Sequence, residues 1–145
     1  MVSIDRLEGF KSALRDVGLP IDPNLIEESE FSEDGGYEAA KRLLPRNPDA
    51  IFSASDSIAS GVLRACHEAG VRVPEDVSVI GYDDMPFAAT TVPPLTTVRQ
   101  PVAMMGATAV ETLIDIIEQP NSQARRIILP TEFVVRNSCQ SINDK

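Results

Sequence analysis

The sequence predicts an α/β fold, a Rossmann-like parallel sheet with helices on both faces. Three observations predict it. Helical and extended patterns alternate along the 145 residues. The run AIFSAS (50–55), a helical pattern and a second apolar run, Val77 to Gly81, follow one another as strand, helix, strand. The crossover between them, well over a dozen residues, marks the βαβ unit of a parallel sheet. Both runs are short and mostly apolar, as strands covered on two sides are.

Each element has its own signal. Ile4, Leu7, Phe10, Leu14 and Val17 recur at spacings of three and four and predict an amphipathic helix, stopped by Gly18-Leu19-Pro20. LIEES, from Leu25, is a weak strand candidate. Residues 33–44 predict a second helix with Ser32 as its cap and Tyr37, Ala40 and Leu44 inward, ended by Pro45 and Pro48. Ser55 or Asp56 caps a third helix that runs to about Ala69 and leaves through Gly70. After Pro94, LTTV is extended, and residues 102–118 form a long helix with Val102, Met105, Ala109, Leu113 and Ile116 along one side. RIILP and EFVVR are two further strand candidates, and SINDK is a polar, fraying tail.

Composition narrows the function. Apolar residues make up 43% and charged residues 24%, as in a globular protein with one core. No apolar stretch approaches the roughly 18 to 20 residues of a spanning helix, and MVSIDRLEGF lacks the pattern of a secretory signal, so a cytoplasmic protein without membrane contact is expected. The formal net charge is −9, and residues 1–40 carry ten acidic against three basic side chains, a surface that repels phosphate backbones. Lys41-Arg42 and Arg125-Arg126 are too short to form a nucleic-acid patch. Cys66 and Cys139 are isolated and His67 is the single histidine, which gives no metal site and no nucleophile–base pair. Neither a metal nor a cofactor is expected. GxSxG, GxGxxG and P-loop motifs are absent, so an enzyme is disfavoured.

The chemistry concentrates at strand ends. In open α/β sheets ligands sit beyond the carboxyl ends of the strands. Ser55-Asp56 and Tyr82-Asp83-Asp84 both follow predicted parallel strands and should share one edge of the sheet. A carboxylate there accepts only and can grip adjacent hydroxyls. Asp83 is expected to contact ligand, whereas Asp56 and Asp84 read as caps or turn formers. As neighbours on an extended chain, Asp83 and Asp84 point to opposite sides, a poor geometry for shared acid–base work.

DAIFSASDSIASGVLRACHEAGVRVPEDVSVIGYDDMPFAATTVPPLTTVRQP resembles the regulatory core of the lactose-repressor-like (LacI/GalR) transcriptional regulators, and RLEGFKSALRDVGLP resembles the segment that opens it. The likeness runs from about Arg6 to Asn137. It implies a type I periplasmic-binding-protein-like fold of two lobes with an effector in the cleft. Residues 1–99 would build mainly the C-terminal lobe, 100–129 a segment of the N-terminal lobe with the 102–118 helix, and 130–145 the return strand and tail. Position by position, the resemblance implies that Arg6 holds effector hydroxyls or a carboxylate and that Phe31 packs on a sugar ring. It implies that Asp83 binds hydroxyls and that Gln100 stands at the lobe crossover. Ser55 falls where many members carry a ligand-contacting asparagine, a departure that bears on which effector is held.

The family's helix-turn-helix head, its hinge helix and most of its first lobe have no counterpart in this chain. The expected function is therefore effector binding, with a sugar or similar polar molecule, and homodimerisation, in a regulator that meets operator DNA only through a head absent here. A periplasmic sugar-binding protein is the alternative. The 102–118 helix would expose apolar surface worth on the order of 5 to 10 kcal/mol, and is expected to pack on a second copy or fold back on its own sheet. Surface near Phe87 is the other expected partner contact.

Overall fold

The computed structural model describes residues 2–119 and 126–141. Arg125 and the tail beyond Ser141 lie outside them. The elements are α1 (Val2–Asp16), α2 (Glu33–Leu43), β1 (Ala50–Phe52), α3 (Asp56–Glu68), β2 (Ser78–Asp83), β3 (Thr96–Arg99), α4 (Val102–Glu118) and β4 (Glu132–Val134), with short 3-10 turns at Pro23–Leu25, Leu44–Arg46 and Pro86–Ala89. The sheet runs β1-β2-β3-β4. β1, β2 and β3 are parallel, with Phe52 opposite Ile80 and Asp83 opposite Arg99, and β4 returns antiparallel along β3.

Side-chain alternation gives the sheet two faces. Ile51, Val79 and Leu95 are buried with Ala59, Val62 and Cys66 of α3, on the face that α2 and α3 cover. Phe52 and Tyr82 point the other way, to α1, where Phe10 stacks on Phe52 at 6.1 Å and Arg6 lies over the Tyr82 ring. Helices thus cover both faces. α2 and α3 meet through Gly36 and Gly61, where a Cβ at either would stand 2.1 Å from the Ile58 carbonyl oxygen and 1.9 Å from that of Glu33. Caps fall where hydroxyls permit: Ser32 Oγ accepts from Gly35 N, and Ser55 Oγ from Ile58 N.

Two expected strands do not form. The Pro23–Leu25 turn is set by Asp22, whose side chain accepts from Asn24 N, and residues 26–30 then run without a ladder partner. Arginines from the α2 end take their groups instead: Arg42 and Arg46 bind the Glu27 carboxylate, and Arg46 reaches the Asn24 carbonyl. RIILP is likewise irregular, because β3 is only four residues long and its free edge is filled by β4 from Glu132 onward. Nor does α4 fold back over the sheet. None of its residues is buried, and Val102 and Ile117 are 66% and 68% exposed. His67 is exposed on α3, as its place in the helical pattern predicts.

Candidate ligand-binding site

β1 and β2 end side by side, so the chain following them converges on one rim. β2 stops because Asp83 and Asp84 take positive φ angles of 113° and 57°, conformations that break the ladder and are uncommon outside glycine. The turn is held from beneath by Asp56. Its carboxylate is fully buried and accepts from Thr97 Oγ1 at 2.6 Å and from Met85 N at 2.7 Å. Burial pushes the Asp56 carboxyl above its ordinary range; the Thr97 and Met85 hydrogen bonds oppose that, and the nearby Asp83 and Asp84 charges add to it. Gly81 is required beside it, since a Cβ there would stand 2.2 Å from Asp56 Oδ1. Asp56 is therefore a tie across the sheet, not the cap its position suggests; the cap is Ser55.

The two adjacent carboxylates have separate partners, all distant in sequence. Asp84 accepts from Arg99 Nε and Arg136 Nη2, both at 2.6 Å. Burial raises the Asp84 carboxyl, but the hydrogen bonds and charges of Arg136 and Arg99 outweigh it, and its pKa is lowered. Asp83 faces the opposite group. Its Oδ1 accepts from Gln100 Nε2 at 2.6 Å and from Arg6 Nη2 at 3.3 Å. Arg6 also donates to the Ala54 carbonyl, and its guanidinium lies 3.7 Å from the centre of the Tyr82 ring. Arg6 and Gln100 of this group, with Asp5, form the polar lining of an open cleft of about 460 Å³ whose apolar wall is Phe10, Phe52 and Tyr82; Asp83 is hydrogen-bonded to both Arg6 and Gln100 without itself lining it.

Of the five residues singled out from the sequence, Arg6, Asp83 and Gln100 come together in one hydrogen-bonded group. Ser55 follows β1 at the same edge, but it is 4% exposed and its hydroxyl is taken by the start of α3. Phe31 stands 55% exposed and shares with Arg6 the wall of a neighbouring cavity. Sequence reading missed the Phe10–Phe52 wall, although Phe10 is in the helical repeat of α1 and Phe52 alternates with the buried Ile51. It also missed Arg99 and Arg136, for which local spacing gives no signal.

Acid titration should separate the two inner carboxylates. Asp84, with its folded pKa lowered, contributes stability that is present above the unfolded value of about 3.9 and is lost as pH falls through the folded pKa. Asp56, with its pKa raised, has the opposite sign: its contribution is present below that value and is lost as pH rises through the folded pKa. Thermal unfolding from pH 6 to pH 3 should show falling stability, and the fall should be shallower in Asp84→Asn. Equal slopes in the two proteins would remove Asp84 from the acid response.

A family model described as the periplasmic binding protein-like domain matches residues 2–139. The chain belongs to that family. Among curated relatives of this periplasmic binding protein-like chain, the ribose operon repressor of Haemophilus influenzae is 40% identical over 143 residues, covering 97% of this chain and 43% of the repressor. The regulator DegA of Bacillus subtilis is 40% identical over 140 residues, covering 96% and 42%. Among solved structures, a complex of the regulator CelR with cellobiose superposes with a TM-score of 0.89 at 39% identity, over 93% of this chain and 42% of that one. A LacI family regulator from Enterococcus faecium with bound ribose gives 0.86 at 36% identity, over 94% and 51%. The resemblance to LacI-type regulators thus holds in sequence and in fold. The chain spans about two fifths of the length of the curated relatives it matches.

Proposed function

We propose that this chain is the effector-binding region of a LacI-type transcriptional regulator and that it takes a sugar through Arg6, Asp83 and Gln100. The observation that carries the reading is that Asp83 Oδ1 gathers both Arg6 and Gln100 at the mouth of an aromatic-lined cleft. A guanidinium only donates, a carboxylate only accepts, and an amide does both. Together they match the alternating donors and acceptors of vicinal hydroxyls, while Phe10, Phe52 and Tyr82 offer flat apolar surface to the C–H face of a ring. Relatives solved with ribose and with cellobiose make those sugars the first to test.

The wider assignments follow from the same reading. Residues 1–99 form one lobe, 100–129 belong to the other, and 130–145 return to the first. α4, with no buried residue, fits a segment whose packing surface lies elsewhere, and α4 with the surface near Phe87 is the contact face of a homodimer. Among the described residues no helix is long and apolar enough to cross a membrane, and the proposed place of action is the cytoplasm, where such a regulator meets its operator. With Arg6 and Asp83 both on one side of the sugar, affinity should be weak, because the far side of the ring keeps its water.

Amide shifts during ribose and cellobiose titration test the proposal. Saturable changes are expected at Ala54, Tyr82 and Asp83 and at the Gln100 side-chain amide. Asp83→Ala should lower affinity by about 1 to 3 kcal/mol, the cost of losing charge-assisted hydrogen bonds. Unchanged affinity in that variant would take Asp83 out of the site.

A further inference from the structure

The cleft of about 460 Å³ carries one polar group that the hydrogen-bonded set of Arg6, Asp83 and Gln100 does not include, the Asp5 carboxylate. It lies in the first turn of α1 and is exposed. Arg6, the next residue, does not neutralise it: the guanidinium donates to the Ala54 carbonyl and to Asp83, and the side chain is only 10% exposed. Arg6 and Asp83 cancel as a pair. Glu8, further along the helix, is held by Lys11, whereas Asp5 has no ion pair among the described residues. The cleft lining therefore carries a negative charge with no basic partner. Gly9, one turn beyond Asp5 on the same face, has no side chain and nothing within 4 Å of where a Cβ would stand, so the cleft stays open there. The aromatic wall suits a cation as well. Ring faces attract positive charge, and the Tyr82 ring already holds the Arg6 guanidinium at 3.7 Å, which leaves Phe10 and Phe52 for a ligand.

We propose that Asp5 is a specificity-determining residue of this cleft and that it selects a sugar bearing a protonated amine over neutral and acidic sugars. The inference rests on the sugar reading of the same cleft and names the class of sugar. The ammonium donates to the Asp5 carboxylate and lies against a phenylalanine ring, while the hydroxyls meet Arg6 and Gln100. A sugar acid or sugar phosphate meets the reverse, since Arg6 is committed to Asp83 and Asp5 repels the anion. Exposure limits the size of the effect. A charge pair open to solvent is worth about a threefold to fivefold preference. Asp5 also complements the positive end of α1, a role that steadies the helix and leaves the choice of sugar untouched, so the two are separable by experiment.

The test is titration of the full chain with three sugars of one ring, glucose, 2-amino-2-deoxyglucose and glucuronate, and with ribose, followed at the Tyr82 amide and the Gln100 side-chain amide. At about pH 6, where an amine of this kind is protonated, the amino sugar should bind about threefold to fivefold more tightly than glucose, and glucuronate should bind most weakly. Raising the salt from about 20 mM to about 500 mM should shrink the preference. Asp5→Asn should bind the amino sugar and glucose alike, and Asp5→Glu should restore part of the difference. Equal affinity of the parent for the amino sugar and glucose, a preference that survives in Asp5→Asn, or shifts from ribose alone would each overturn the role of Asp5 and leave the sugar reading standing. Saturable shifts from none of the four sugars would overturn both.

Discussion

Replacing Gly61 by alanine is expected to cost about 3 kcal/mol or more and to lower the melting temperature by about 10 °C. The added Cβ would stand 1.9 Å from the Glu33 carbonyl oxygen and 2.5 Å from Tyr37 N. Both are backbone atoms in the first half of α2, so no side chain can swing away to make room. The two helices would have to separate, and the buried layer between them, Ala39, Ala40, Ala59 and Val62, would lose its packing. The same change at Gly106 in α4 should have the opposite sign. Its Cβ meets nothing within 4 Å, and alanine in an exposed helix is better than glycine by about 1 kcal/mol. Thermal melts of the two variants side by side check the contrast. A melting temperature within 2 °C or so of the parent in Gly61→Ala would show that the helices do not approach so closely.

Asp56→Ala should be nearly as damaging, at about 2 to 4 kcal/mol, because it strands two donors, the fully buried Thr97 Oγ1 and the part-buried Met85 N. The loss reaches the site. Met85 N anchors the turn in which Asp83 and Asp84 hold their positive φ angles, and with that anchor gone Asp83 is no longer fixed against Arg6 and Gln100. Asp56→Ala should therefore weaken sugar binding although residue 56 does not line the cleft. Asp56→Asn retains one acceptor for Met85 N and can donate to the Thr97 hydroxyl, so it should recover most of the stability. Equal destabilisation by both variants would mean that the carboxylate charge, not its hydrogen bonds, holds the turn.

What the sequence discloses here is what local pattern can encode. The βαβ unit, the α3 start at Ser55 and Asp56, and the placing of Asp83 at a strand end all follow from periodicity and from the turn signals around them. The bounds of α4, 102–118, were legible for the same reason. Contacts over long sequence separations were not. Arg6 and Asp83 are 77 residues apart and Asp84 and Arg136 52, so the charges that neutralise the acidic pair cannot be found by spacing and entered only through resemblance, as with Arg6, or not at all, as with Arg136. Asp56 shows a subtler limit. An aspartate after a strand reads equally as a cap or as a buried bridge, and the choice depends on Thr97 from a strand two places along the sheet. LIEES and RIILP have strand-like composition, but neither has a ladder partner: one is held by α2 arginines, and the other flanks a strand too short to pair with it.

The most direct test of the sugar site is a crystal structure of the chain soaked with ribose at saturating concentration. The expected result is a pentose in the cleft between Phe10 and Tyr82, with ring hydroxyls within hydrogen-bonding distance of Arg6, the Asp83 carboxylate and the Gln100 amide. A cleft holding no sugar, or a sugar seated away from all three side chains, would contradict it.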